Sequence, residues 1–472
     1  MAEEGAPPTP LSVRFVAALA LTAALTPLNS TMVAVALPTI GRTLHVGAGT
    51  LTVWLVNSYL IVNIVAQSPA GKLGDWLGRK RTLVLGQLIF GVGTLFAVVL
   101  HQLWSLTAAR LMMAAGGALT VPTALAVLRS AIPEERRPRA FGAFGALLAT
   151  SAALGPLVGG FLTQRLHWSA IFWINLPLLV LAWWLVPSSR TDPSPAARIP
   201  RTAVDAAPAS KPPRRAAPVD LVGLVGLALS LGGTVAGLKV GGGFGWLTVS
   251  AAILVFVGFV VWERRHPAPL IDLSLFRRRL FVLGASIVAL QNLGMYAVIF
   301  QIPFLLERTL RLRPERVGQS LLALTACMVI AAPLGGRLAE RVGARLTVLI
   351  GVLLTISGFG ELIAVVDRDT LSLVLVGLSA VGGGIGLVMG PAQSVALSAV
   401  PPEQSGVAAG VMSTMRYVGG VVGVTIISVV LGANEHDLAV AQNRRCFWFY
   451  IAALALALLL ATRLASRPPK RV

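Results

Sequence analysis

Long apolar runs broken by short polar clusters make up most of the chain. Each run has about the length that crosses a bilayer as a helix, roughly 20 residues at 1.5 Å per residue. They fall near 15–38, 50–68, 82–100, 104–130, 141–163, 168–187, 220–240, 246–262, 280–305, 317–334, 346–366, 371–397, 405–432 and 446–463. The runs lack strict apolar–polar alternation and are too long for barrel strands, so they predict helices. One stretch breaks the pattern. Residues 188–219 are rich in Pro, Ala and Arg and nearly free of large apolar side chains, the composition of a flexible linker. It leaves six predicted spans before it and eight after it.

An internal match organises these spans. GKLGDWLGRKR (71–81) aligns without gaps to GRLAERVGARL (336–346), so Gly71, Leu73 and Gly78 recur as Gly336, Leu338 and Gly343. Lys72 and Asp75 recur as Arg337 and Glu340. The copies are eight spans apart, where two six-span halves would place them six apart. The spans at 220–240 and 246–262 therefore read as an inserted pair. This predicts an all-α integral membrane protein: a six-helix bundle over 12–187, a cytoplasmic linker over 188–219, two inserted helices over 220–263 and a second six-helix bundle over 280–464. Internal repeats of this kind are the usual build of secondary transporters.

Composition agrees with hydrocarbon as the main solvent: 56% of residues are hydrophobic, 12% are charged, and the mean hydropathy is +0.79. The formal net charge of +20 raises the question of nucleic acid, and its distribution excludes that partner. With both termini cytoplasmic, most Lys and Arg fall at inner ends or in inner loops, as in Arg79/Lys80/Arg81, Arg136/Arg137/Arg139, Arg277/Arg278/Arg279 and Lys470/Arg471. That is the positive-inside bias. The outer loop 307–316 runs against it, with Arg308, Arg311, Arg313 and Arg316 partly offset by Glu307 and Glu315. Glu3 and Glu4 precede a first run longer than a signal-peptide core, which reads as a retained helix. Cys327 and Cys446 lie in or beside spans, so neither a disulfide nor a metal site is expected, and no cofactor is implied. The excess of Arg over Lys points to a high-GC bacterial genome.

Polar residues inside the spans are the candidate site, because such groups face protein or water rather than lipid. Tyr59, Asn63 and Gln67 share one face of the second span, and Asn292 and Tyr296 one face of the ninth, with Gln291 adjacent. Asn29, in TPLNSTMVAVALPTI beside Thr31, lies about 21 Å above the inner face, and Arg110 lies about 9 Å below the outer one. In a core about 30 Å thick the two reach similar depth. Arg416 is a second arginine at mid-depth, while Glu361 is the one acid placed well inside a span. Ser151, Gly155 and Gly159, with Pro156 and Gly160, put small residues and a kink on the fifth span. Asp75 among cations and glycines suits a charge-assisted network that locks two bundles in one state, with Gly71, Gly78, Arg79, Gly336, Glu340 and Gly343 as its frame.

GKLGDWLGRKR resembles the signature inner loop of the major facilitator superfamily, and the span count narrows this to its fourteen-helix drug:proton antiporters. LNSTMVAVALP (28–38), LTAARLMMAAGGALTVP (106–122), LGPLVGG (154–160), HWSAIFWINLP (167–177) and PLIDLSLFRRRLF (269–281) are similar to further motifs of that family. The resemblance implies a twelve-helix alternating-access core in the cytoplasmic membrane, working as a monomer. It implies export of lipophilic small molecules against inward proton flow, by a transporter and not an enzyme. Asn29 departs from the family, which usually has aspartate there, and Met113 and Ala114 replace the usual Gln and Gly. No histidine lies mid-span. Two central arginines without a central acid favour neutral or anionic substrates. A dedicated exporter of one endogenous product, or a facilitator without proton coupling, is the alternative.

Overall fold

The computed structural model describes residues 13–131, 137–185, 220–267, 269–365, 370–401, 404–432 and 440–464. The linker 188–219, Arg136, His436, Lys470 and Arg471 lie outside the described residues, as do the side chains of Lys72, Asp75, Arg137 and Arg139. The first bundle contains α1 (Val13–Leu44), α3 (Arg79–Val99), α4 (Leu103–Ala131) and α5 (Arg137–Arg165). Its α2 runs over 48–77, as Ala48–Leu51, a π-helical turn Thr52–Asn57 and Ser58–Leu77. Its α6 is broken into Ala170–Trp173 and Asn175–Leu185. The inserted pair is α7 (Leu221–Val240) and α8 (Gly242–Arg265). The second bundle is α9 (Arg279–Thr309), α10 (Pro314–Val342), α11 (Ala344–Val365), α12 (Leu371–Ser398), α13 (Ser405–Gly432) and α14 (Val440–Ala461). Among the described residues, thirteen helices are long and apolar enough to cross a membrane, and Ala170–Leu185 is a shorter apolar one.

The packing repeats with the eight-helix offset. In the first bundle α1 packs on α5, α2 on α4 and α3 on α4; in the second, α9 packs on α13, α10 on α12 and α11 on α12. Contacts between bundles follow the same two-fold relation: α5 on α10, α2 on α13, and α1 on α9. Helix association in lipid depends on close backbone approach rather than the hydrophobic effect. The glycines supply that approach. Gly155 and Gly159 of α5 meet Thr31 and Met32 of α1, and Gly419 and Gly423 of α13 meet Ala289 and Leu293 of α9.

The duplicated loop is duplicated in conformation too. Gly78 (φ 87, ψ 144) joins α2 to α3, and Gly343 (φ 92, ψ 152) joins α10 to α11. That region is open essentially to glycine alone. The hydroxyls of Thr82 and Thr347 donate back to the carbonyls of Gly78 and Gly343, at 3.1 and 3.0 Å. These turns, with Arg79, Arg264, Arg278 and Arg337, mark what is called below the basic end; His45, His101 and His167 mark the far end.

The inserted hairpin packs on itself, and α7 also touches α2 and α13 at the seam between bundles. Ile253, Leu254, Phe256 and Val257 of α8 are exposed, the surface a lipid-facing helix presents. Buried acids pin its basic end. Asp220 caps α7 through Gly223 N at 2.8 Å and accepts from Trp262 Nε1 at 3.0 Å, while Glu263 accepts from Leu270 N at 2.8 Å.

Candidate functional site

Arg110 is buried to 1% exposure, so it does not reach outward to the surface. Its guanidinium is held from two helices, α1 and α2. Nη1 donates to Asn29 Oδ1 at 2.8 Å, Nε donates to the Leu55 carbonyl at 3.2 Å, and the group lies 3.9 Å above the Tyr59 ring. Leu55 belongs to the π-helical turn of α2, and such turns alter the backbone hydrogen-bond ladder at functional sites. The break in α6 serves the same cluster. The Ile171 carbonyl accepts from the side-chain amides of Asn29 and Asn175, each at 3.3 Å. Both ends of the Asn29 amide are thereby fixed, which orients its oxygen toward Arg110. Arg110 Nη2 is buried without a partner. Asn63 is also buried, its amide donating to the Tyr59 carbonyl at 2.9 Å, and Gln67 is partly buried.

The second bundle presents the other half. Arg416 Nη2 donates to Gln393 Oε1 at 3.2 Å; the side chain is partly exposed, with a buried, unpartnered Nε. One turn along α13, Gly420 lies against the Tyr296 ring, which stacks on Phe300. Tyr296 is within electrostatic range of Tyr59, Tyr417 and Arg416, which puts aromatic groups of both bundles near the two arginines. Asn292 donates to the Val288 carbonyl at 2.8 Å and faces Met389 Sδ at 3.5 Å, whereas Gln291 is fully buried with both amide atoms unpartnered. Thr31, expected on the path, is turned instead into the α1–α5 seam, 2.9 Å from the Ala152 carbonyl. That carbonyl is the acceptor Pro156 cannot serve, four residues on. Glu361 is exposed on α11, away from this cluster.

The polar contacts described between the bundles lie in the far half. Arg42 pairs with Glu307, and Arg165 Nε lies 3.8 Å from Glu315 Oε2. Glu307 and Glu315, read from sequence as offsets for loop arginines, reach the opposite bundle. Asn57 donates to Thr425 Oγ1 at 3.1 Å, and Thr325 Oγ1 to the Ala153 carbonyl at 3.0 Å. The α5 motif divides its contacts: Gly155 and Gly159 face α1, while Pro156 and Gly160 face Gly318 and Pro314 of α10. A cavity of about 480 Å³ opens at this end beside Arg42, His45, Phe304 and Glu307. In the turn at the basic end, Arg79 Nη1 donates to the Ala126 carbonyl at 2.9 Å, within its own bundle. Gly71 and Gly336 sit in the next-to-last turns of α2 and α10, and Glu340 in the last turn of α10. The Asp75 side chain lies outside the described residues.

Leu55 O, Ile171 O, Gln393 and Tyr417 were not among the expected residues. The asparagine of HWSAIFWINLP was a signal for the α6 break; the π-turn carbonyl carried none.

Two repeated six-helix bundles around a shared polar-aromatic cluster define a transporter architecture, and comparison with known proteins agrees. The chain is 32% identical over 424 residues to the uncharacterized MFS-type transporter YvkA of Bacillus subtilis, covering 88% of this chain and 90% of that one. It is 30% identical over 413 residues to the multidrug resistance protein Stp of Mycobacterium tuberculosis, covering 86% and 73%. A D-xylose-proton symporter shares the fold, with a TM-score of 0.68 at 14% identity over 97% of this chain and 99% of that one. The model of the Major Facilitator Superfamily matches residues 19–424, and the protein belongs to that family. It is a multi-pass membrane transporter.

Proposed function

We propose that this protein exports lipophilic small molecules across the cytoplasmic membrane by alternating access, with the basic end and both termini cytoplasmic. The observation that carries the reading is the one-sided seam. Described polar contacts between bundles gather at the far end, and the polar-aromatic cluster lies between that seam and the basic end. Among the described residues this is the arrangement of a path closed by polar contacts toward the far end. The substrate path is assigned to Tyr59, Gln67, Tyr296 and Arg416, with Asn29, Asn63 and Arg110 behind them and Gln291 and Asn292 supporting the opposite wall. The Gly78 and Gly343 turns, with Arg79, Asp75 and Glu340, frame the gating loop.

Relatives named for multidrug resistance and multidrug transport support the substrate class. The antiporter resemblance makes protons the first candidate for the coupling ion. A facilitator without proton coupling is the second reading, favoured by the Asn29–Arg110 bond, since an amide holds the arginine without titrating. Proteoliposome transport with and without an imposed pH gradient tests both, comparing wild type with Asn29→Asp and Arg110→Ala. Gradient-driven wild-type export supports antiport through a group other than residue 29. Absence of any protein-dependent export sinks the exporter reading.

A further inference from the structure

Among the described residues, no carboxylate pairs with the guanidinium groups of Arg110 and Arg416, both inside spans. No Asp or Glu lies between Asp75 and Glu134, around Arg110, or between Glu403 and Glu435, around Arg416. Nor does one lie between Glu4 and Asp75, through α1 and most of α2, or between Asp272 and Glu307 in α9. The buried acids among the described residues, Asp220 and Glu263, are engaged at the basic end of the inserted hairpin. A buried cation is unfavourable unless a counter-charge or a full set of acceptors meets it. Arg110 keeps Nη2 buried and unsatisfied, and Arg416 keeps Nε so, while its side chain is partly open. Between them lie Tyr59 and Tyr296, beside Tyr417: apolar faces with polar edges.

We propose that the substrate supplies the missing charge: the site takes a lipophilic organic anion, a carboxylate or phenolate on an aromatic body, and the membrane potential drives its export. Arg416 meets the anionic group, the tyrosine faces take the apolar body, and Arg110, one layer behind Tyr59, raises the local potential. Asn29 then has a definite role. It orients Arg110 without cancelling its charge, as an aspartate would. An anion leaving a negatively charged interior moves down the potential, so no protein group needs to carry a proton. For a monoanion the potential sustains a gradient of about 50-fold per 100 mV. The inference rests on the exporter reading and adds to it the sign of the substrate and the driving force.

The test uses the full chain in proteoliposomes with equal pH on both sides and a potassium–valinomycin potential. The probes are 7-diethylaminocoumarin-3-carboxylate, its neutral ethyl ester and the cation ethidium. The expected result is protein-dependent flux of the carboxylate that rises with potential, with far less ester or ethidium carried. Arg416→Gln is expected to lower carboxylate flux about tenfold or more, and Arg416→Lys to recover part of it, as a site cation predicts. Transport of the ester or ethidium without the carboxylate overturns the inference and leaves the exporter reading standing. Carboxylate flux that ignores the potential and needs a pH gradient overturns it as well. No flux of any probe overturns both.

Discussion

Gly159 and Gly160 are neighbours on α5, yet a methyl group added to each should do different things. A Cβ on Gly160 would stand 2.5 Å from the Pro314 carbonyl oxygen and 3.2 Å from the Gly318 Cα, both on α10 of the opposite bundle. A Cβ on Gly159 would stand 2.8 Å from the backbone of Met32, on α1 of its own bundle. Ordinary contact starts near 3.4 Å. Gly160→Ala therefore requires α10 to retreat by about 0.9 Å, an overpacking that costs ~1–3 kcal/mol. If the α5–α10 contact exists only while the far end is closed, that cost falls on one state. It shifts the two-state ratio about 5- to 150-fold toward the far-end-open form. Gly159→Ala strains a seam internal to one bundle, present in both states, and lowers stability without moving the balance.

The assay is labelling of Thr425→Cys by a membrane-impermeant maleimide from the far side, with Cys327 and Cys446 replaced. Thr425 is 6% exposed and bonded across the seam to Asn57, so labelling reports opening. Gly160→Ala should speed labelling at least fivefold and Gly159→Ala should not. Equal acceleration in both, or none in Gly160→Ala with normal folding, would refute the claim that this seam is the gate.

Gly78→Ala should cost ~1–3 kcal/mol through backbone conformation alone, because nothing lies within 4 Å of an added Cβ, and Gly343→Ala, at a matching positive φ, should carry the same backbone cost. Gly336→Ala, equally open but without a positive φ, should leave the detergent melting temperature unchanged or raise it. Asn29→Asp places a carboxylate within 2.8 Å of Arg110 Nη1, and the pH profile of transport should differ from that of wild type. A flat profile in both would separate residue 29 from coupling. Thr31→Val should cost ~1–3 kcal/mol by leaving the Ala152 carbonyl without a donor. In Pro156→Ala, which restores a backbone N–H to that carbonyl, the same substitution should cost less. A melting-temperature double-mutant cycle reads the difference.

Helix count and the eight-span repeat were legible because both are one-dimensional. Run length sets a span, and GKLGDWLGRKR keeps Gly78, which recurs as Gly343, at the position where φ must be positive. The depth match of Asn29 and Arg110 was legible for a similar reason, since 1.5 Å per residue converts position to height. What could not be read was azimuth. Thr31 stands two residues from Asn29, about 200° around the helix, and it turns to α5 where Asn29 turns to Arg110. Nor could backbone acceptors be read. The carbonyls of Leu55 and Ile171 belong to apolar residues, and they reach Arg110 and Asn29 at a π-helical turn and a helix break that residue type does not announce. Glu307 and Glu315 looked like local charge balance because the bundle they contact is far away in sequence.

The placement of Pro156 suggests how the seam can open at little cost. Proline leaves the Ala152 carbonyl free, and Thr31 of the same bundle satisfies it, so that bond can persist in any state of the pair. The next carbonyl, Ala153, accepts from Thr325 across the seam at 3.0 Å, and that bond must break on opening. Thr325 has a second acceptor within its own helix, the Leu321 carbonyl at 3.2 Å. Opening therefore exchanges one bond for another on the Thr325 side and leaves no orphaned donor. A leucine at 325 would pack the closed seam without this exchange, and an unpaired donor there would hold the seam shut. Threonine permits both states, which is the requirement alternating access sets for a residue in a gate.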